Sequence, residues 1–316
     1  LPLEDIAKSA SPEFLRVEGL SVAAKNSASS VSLIREITFS AAANECVVLI
    51  GESGSGKSTL ARALTSLFPP NRGLHISGTV TLNGKDLLND RLAKALVRYV
   101  LQEPGMALNP AMRIGAQLKI LTASRGLTEI SARLREQDID DTERVFKCYP
   151  HEISTGMAQR ILLAAALHAT PRLLICDEPT SAVDLESREL IINMLLAYRK
   201  ASANILIVVT HDLVLARRLA TSIAVLYNGL IVEIAPVEQF YSHPLHPYSQ
   251  ALLSMAPGMG STLEAMPDVS SADRTLSKGG CVYAGNCAKV QADCRLAEPA
   301  LALIEGERSV RCPYWK

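Results

Sequence analysis

An apolar run from Cys46 to Ile50 breaks into Gly51-Glu52-Ser53-Gly54-Ser55-Gly56-Lys57-Ser58, and helical spacing follows from Lys57 to Leu67, ahead of Pro69 and Pro70. A buried strand that turns through three glycines into a helix matches the phosphate-binding loop, motif and context together. The glycines let the backbone curl until its N–H groups point inward, and the helix N-terminus adds positive potential. On this reading Gly51, Ser53, Gly54, Ser55, Gly56 and Thr59 belong to the nucleotide-binding segment. Lys57 reaches the β and γ phosphates, and Ser58 ligates Mg²⁺. The bland alternative is a mobile Gly/Ser loop, and the motifs downstream weigh against it.

A second apolar strand, Leu173 to Cys176, ends in Asp177-Glu178. Two acids at the carboxyl edge of a sheet beside a phosphate loop suit Mg²⁺ held through water by Asp177 and an attacking water polarised by Glu178. His211 follows a third such strand, Ile205 to Thr210, and is a candidate catalytic group for the same reason of placement.

The rest of the chain reads as α/β. Phe14 to Ile50 is a strand group with a polar loop at Lys25 to Ser30, and Met112 to about Glu136 is a small helical insert. Gly156 to Ala169, Leu185 to Lys200 and Leu213 to Ala220 are helices, and two more strands run through Ile234. Strands alternating with helices predict a mostly parallel sheet covered on both faces. Residues 258 to 280, rich in Gly, Ser, Pro and Asp, read as a linker.

Lys plus Arg (32) equals Asp plus Glu (32), so no electrostatic footprint for nucleic acid is expected. No apolar run approaches the roughly 18 to 20 residues that span a bilayer. The first residues lack a basic start and apolar core, so no secretion is expected.

Six motifs then follow in one order: the phosphate loop, Gln102 in Gln-Glu-Pro, Ser154-Thr155-Gly156-Met157, Asp177-Glu178-Pro179-Thr180, Ser181-Ala182-Val183-Asp184, and His211 in Thr-His-Asp. The chain resembles the nucleotide-binding subunits of ABC transporters over about residues 14 to 256, with residues 1–13 as a tail, a helical subdomain at about 103–170, and an extension at 257–316. The resemblance implies an ABC-type P-loop fold with an antiparallel β subdomain, and hydrolysis of ATP with Mg²⁺. It implies that Gln102 senses Mg²⁺ and the γ phosphate, and that His211 orients water and phosphate with Glu178. Ser154, Thr155 and Gly156 would form a signature that binds the ATP of a second subunit, with Asp184 touching that subunit. Two permease subunits and, indirectly, an extracytoplasmic solute-binding protein are the implied partners. The implied location is peripheral, on the cytoplasmic face of the membrane. A soluble ABC-type regulator is the alternative.

Leu108-Asn109-Pro110, Tyr149-Pro150-His151-Glu152 and His246-Pro247-Tyr248 resemble the peptide and nickel importer branch, as does the tail Cys281, Cys287, Cys294 and Cys312. Four thiolates accept an iron–sulfur cluster or zinc. Gaps of five and six residues between the first three cysteines are longer than the usual zinc knuckle; with the resemblance, they favour a 4Fe–4S cluster over Zn²⁺. Cys46 and Cys176 read as core. Two departures stand out. Thr155 occupies the place of a glycine, and no aromatic residue lies between Phe14 and Phe39 to stack on adenine near Ala23 or Ala24. A heterodimer with a different ATPase subunit accommodates both.

Overall fold

The computed structural model describes residues 14–26, 29–68, 73–122, 127–201, 203–255, 279–304 and 306–316. The expected N-terminal tail lies outside these residues, as does all of the expected linker except residues 279 and 280.

In Phe14–Asn26 (β1) and Ser29–Ala42 (β2), alternating apolar residues turn inward: Leu15, Val17, Leu20 and Val22 are buried on β1. The two strands pair antiparallel as far as Asn26 opposite Ser29, so strand pairing reaches into the expected polar loop from both ends. The apolar period jumps from two to three between Val17 and Leu20 because the register shifts there, an irregularity that increases local twist. Beyond Cys46–Ile50 (β3) and Lys57–Ala63 (α1), Leu74–Leu82 (β4) pairs with the other edge of β1, and Lys85–Asp86 (β5) completes a four-stranded sheet ordered β2-β1-β4-β5.

Among the described residues the main sheet has eight strands. Val97–Val100 (β6), Leu173–Asp177 (β7), Ile205–Val209 (β8) and β3 lie parallel with Ser222–Tyr227 (β9). Leu230–Pro236 (β10), Ala302–Leu303 (β11) and Ser309–Val310 (β12) extend it antiparallel, giving the order β11-β12-β10-β9-β3-β8-β7-β6. Every residue of β3, β7 and β8 is buried, as strands covered on both faces require. Each fully buried Leu, Ile or Val contributes about 1.5–3 kcal/mol, so the sheet's centre is the rigid part of the molecule. Because β3 comes early in the chain yet lies between β8 and β9, the loop leaving it opens at the middle of the carboxyl edge, where α/β sheets bind ligands.

Short helices Arg91–Lys94 (α2) and Pro104–Ala107 (α3) flank β6. The helical insert is larger than its sequence suggests: Ile114–Leu121 (α4), Leu127–Arg135 (α5) and Thr142–Lys147 (α6) precede Thr155–His168 (α7). Leu185–Lys200 (α8), Leu213–Leu219 (α9), Val237–Ser242 (α10) and Pro247–Ser254 (α11) complete the set. Ser154, Asp184 and Asp212 cap α7, α8 and α9 by accepting backbone N–H bonds from the first turn, each cap worth about 1 kcal/mol. Helix α1 stops earlier than Leu67. The Leu67 amide donates to the Arg62 carbonyl and the Ser66 amide to that of Ala63, with Ser66 in the left-handed region at φ 53. That closure ends a helix without needing the prolines.

Two apolar layers sandwich the main sheet, one shared with the antiparallel sheet and α1, the other with α7, α8 and α9. Cys46 and Cys176 are core as expected; burial pushes the Cys46 thiol up to about 12 and raises that of Cys176. The cysteine-bearing tail is joined to this body: Val310 of β12 pairs with Glu233 of β10, and Tyr283 is buried in the second layer. No helix among the described residues is long and apolar enough to cross a membrane.

Candidate nucleotide site

The loop after β3 turns through Gly51, Gly54 and Gly56, with φ values of 149°, 81° and 105°. Glycine is required at Gly51, where an added Cβ would stand 2.2 Å from the Leu226 carbonyl oxygen at the end of β9. At Gly56 it would meet the Ile34 side chain at 2.9 Å. The loop is thus clasped between β2 and β9, and the Gly229 amide donates to the Ser55 carbonyl at 2.9 Å. Ser53 and Gly54 are exposed, Ser58 and Thr59 half-buried. Ser55 Oγ is buried and has no hydrogen-bond partner among the described residues.

Lys57 is buried, and its Nζ donates to the carbonyls of Gly51 and Glu52, both at 2.7 Å. Burial lowers its pKa, while the carboxylates of Glu178, Asp177 and Glu52 push in the opposite direction. Ser58 Oγ donates to Asp177 Oδ1 at 3.0 Å, and the Tyr99 hydroxyl donates to Asp177 Oδ2 at 2.7 Å. Asp177 is therefore pinned through both oxygens. Burial and the neighbouring carboxylate raise the Tyr99 pKa and keep its phenol a donor.

Glu178 has a left-handed backbone, φ 48, uncommon and costly for a residue with a side chain. Its amide donates to the Val209 carbonyl at 2.8 Å, and its carbonyl accepts from the Ser181 amide and hydroxyl, so the surroundings hold the kink. The kink aims the carboxylate at the neighbouring strand end. Oε2 accepts from Thr210 Oγ1 at 3.2 Å; Oε1 accepts from the His211 amide at 3.1 Å and lies 2.7 Å from His211 Nδ1. A carboxylate can only accept, so Nδ1 carries the proton. The His211 side chain is 72% exposed, that of Glu178 only 11%.

Among the expected site residues, the fold thus joins Ser58 to Asp177 and Glu178 to His211. Gln102, two residues past β6, is exposed and makes no side-chain hydrogen bond to Asp177 or Glu178. Ser154, Thr155 and Gly156 lie elsewhere, where the N-terminus of α7 meets that of α8. A Cβ on Gly156 would stand 2.5 Å from Ser187 Oγ and 3.2 Å from Asp184 Oδ2. The Ser187 amide and side chain hold the exposed Asp184 carboxyl below its usual range. Thr155 is exposed at the first position of α7 and lacks a positive φ, so its backbone needs no glycine there. Ala23 and Ala24 lie on β1 opposite Ser32 and Val31 on one side and His75 and Leu74 on the other; cross-strand pairing brings them no Phe, Tyr or Trp.

Tyr99 and Thr210 escaped the sequence reading. Tyr99 pairs in register with Ile175, two residues before Asp177, and a side-chain period of two puts both on one face. Once β6 and β7 are known to be neighbours, that offset finds Tyr99.

Sheet order, phosphate loop and kinked acid together define an ABC-type phosphate-loop ATPase. The ABC transporter family matches residues 34–181, and the oligopeptide/dipeptide transporter C-terminal region matches residues 232–294. A Brucella abortus protein provisionally named for peptide import and ATP binding is 34% identical, covering 95% of this chain and 94% of its own. The oligopeptide transport ATP-binding protein OppD of Escherichia coli is 31% identical, covering 93% and 91%. A solved ATP-binding subunit of an ABC transporter superposes with a TM-score of 0.60 at 26% identity, over 72% of this chain and 91% of that one. A dimeric ATP-binding cassette holding ADP and Pi shares the fold, with a TM-score of 0.60 at 22% identity over 71% and 98%. The chain belongs to the ATP-binding subunits of ABC transporters, in the branch that carries the oligopeptide/dipeptide C-terminal region.

Proposed function

We propose that the chain drives a peptide importer by binding and hydrolysing ATP at the site built on Gly51–Ser58, Asp177 and Glu178. The observation that carries this reading is the pinned and kinked acid pair, Asp177 on Ser58 and Glu178 on His211. Phosphoryl transfer asks a protein chiefly to position groups and neutralise charge. Lys57, bonded to two loop carbonyls, has a third donor to give to phosphate oxygens. Ser58 and Asp177 would hold Mg²⁺, which would supply positive charge to the phosphates. Glu178 takes a proton from the attacking water, and His211 keeps that carboxylate aimed. Gln102, exposed beyond β6, reports the state of the site to the permeases.

Ser154, Thr155 and Asp184 form one exposed patch where two helix N-termini meet, and Leu185 beside them is 79% exposed. That patch serves the ATP of a second, different ATPase subunit. Names such as OppD's favour peptides over the metal chelates that the sequence leaves open, with two permeases and an external binding protein as companions. The site is tested by Lys57→Ala, for which we expect an Mg-ATP Kd raised about tenfold or more, the loss of a charged hydrogen-bond donor, and no uptake by the reconstituted transporter. Undiminished uptake would sink the reading.

In the tail, Cys281, Cys287, Cys294 and Cys312 line one small cavity together with His246 and Tyr283. The Cys281 amide donates to the Cys294 carbonyl at 2.7 Å. Among the described residues no three His, Cys, Asp or Glu groups stand at ligating separation; sharing a centre would require the four thiols to turn inward. A set of four thiols around one space fits a thiolate-bound 4Fe–4S cluster, with Zn²⁺ as the alternative. Anaerobically prepared protein is expected to show visible absorption and bound iron, both lost in Cys287→Ser. Stoichiometric zinc without colour selects the alternative, and protein that binds neither iron nor zinc overturns the metal site.

A further inference from the structure

The Glu52 amide belongs to the phosphate loop, yet its partner lies far along the chain. It donates to the Tyr248 hydroxyl at 2.9 Å, a bond spanning 196 residues of sequence. Tyr248 is 1% exposed on the first turn of α11, and that turn is bolted down. His246 caps it, accepting the Tyr248 amide on Nδ1 at 3.1 Å. The amides of Leu245 and His246 donate to the buried Glu233 carboxylate, which Arg308 also contacts. The ring of Tyr248 packs against Tyr227 and Tyr283, with centroids 4.6 and 5.4 Å away, and those two rings meet edge to face at 5.2 Å. Tyr283 lies between Cys281 and Cys287 in the chain and lines the cysteine cavity.

Glu52 also supplies one of the two carbonyls that hold Lys57, and Gly51 supplies the other. The Gly51 end is fixed by its close approach to Leu226, and the Glu52 end by Tyr248. We propose that Tyr248 is a positioning residue for the nucleotide site: its hydroxyl fixes Glu52 and so the pose of Lys57. Through Tyr283, order in the cysteine-bearing region then sets how tightly the loop grips ATP. This inference rests on the reading of Gly51–Ser58 as the phosphate site. It gives His246-Pro247-Tyr248 a task in the ATPase, and it makes the tail a modulator of nucleotide affinity as well as an attachment.

Tyr248→Phe removes one oxygen and keeps the ring. In the full chain without nucleotide, we expect hydrogen exchange of the segment containing Glu52 to accelerate about tenfold. With its permeases, the variant's KM for Mg-ATP rises about three- to tenfold, the scale of one net hydrogen bond, with kcat within about threefold, the pattern of lost ground-state binding. Tyr283→Leu raises KM in the same direction, whereas Tyr283→Phe, which keeps the ring, stays at the wild-type value. Wild-type exchange and KM in Tyr248→Phe would overturn the proposal. So would exchange rising equally throughout β3 and α1 with a lowered Tm, because that marks a merely structural role. If Lys57→Ala binds Mg-ATP normally, the phosphate-site reading itself fails. If Lys57→Ala is impaired and Tyr248→Phe is normal, only the present inference does.

Discussion

Glu178→Gln is expected to lower kcat for ATP hydrolysis by about 10²- to 10⁴-fold, the range over which a positioned general base acts, while the Kd for Mg-ATP stays within about threefold. The amide keeps the size of the side chain; its single oxygen at the Oε1 place still accepts from the His211 amide, while its NH₂ group at the Oε2 place faces Thr210 Oγ1 and donates to it. What it loses is the ability to take a proton from water. Its NH₂ group can also turn toward His211 Nδ1, which now sits 2.7 Å from Oε1 as a donor, so the pair relaxes or the imidazole changes tautomer. The backbone at φ 48 is held by Val209 and Ser181 and is indifferent to the substitution, so Tm should move little. Single-turnover hydrolysis with bound nucleotide measured separately makes the check. A variant that hydrolyses within tenfold of wild type shows that water is activated elsewhere, and a matching loss of affinity shows that Glu178 serves binding.

This site was legible to an unequal degree. The strand–loop–helix around Gly51–Ser58 could be read because glycine spacing and a wholly apolar run are local signals; the caps at Ser154, Asp184 and Asp212 are equally local but were not read. The Glu178–His211 pair could be anticipated from two parallel strands ending in polar residues, but its geometry depends on a left-handed Glu178 that no residue preference announces. Tyr99 and Tyr248 were beyond reach for a different reason. Each meets its partner across a large sequence separation, and the pairing follows from strand order, which periodicity does not specify. The tail's two-residue strands carry no pattern of their own. Only the docking of Val310 beside Glu233 makes them part of the sheet, which is why the region read as a small appendage. At Ser66 a serine does what glycine ordinarily does at a helix end, so the stop signal was missed.

Gly156→Asp is expected to separate the two faces of the ATPase. A Cβ at this position already crowds Ser187 Oγ at 2.5 Å and Asp184 Oδ2 at 3.2 Å; a second carboxylate adds repulsion against the Asp184 charge. Serine can rotate away, but the Asp184 carboxylate is committed to capping α8 through the Ser187 amide at 2.8 Å, so the N-termini of α7 and α8 must splay. The Gly51–Ser58 loop shares no hydrogen bond with this patch, and the variant's own Mg-ATP Kd should remain within about twofold of wild type. Hydrolysis at the site that this patch completes should fall about 10²-fold, as when one preorganised donor to a transferring phosphoryl group is lost, so turnover by the assembled pair falls to the share of the other site. Gly156→Ala, which Ser187 can accommodate by turning, should fall between. In a mixed pair the lost turnover belongs to the site whose phosphate loop sits on the other subunit. Adding Lys57→Ala to the same chain as Gly156→Asp should therefore abolish what activity remains, whereas replacing the phosphate-loop lysine of the different partner subunit should change little. Wild-type hydrolysis by the Gly156→Asp pair would show that the α7–α8 patch takes no part in ATP chemistry.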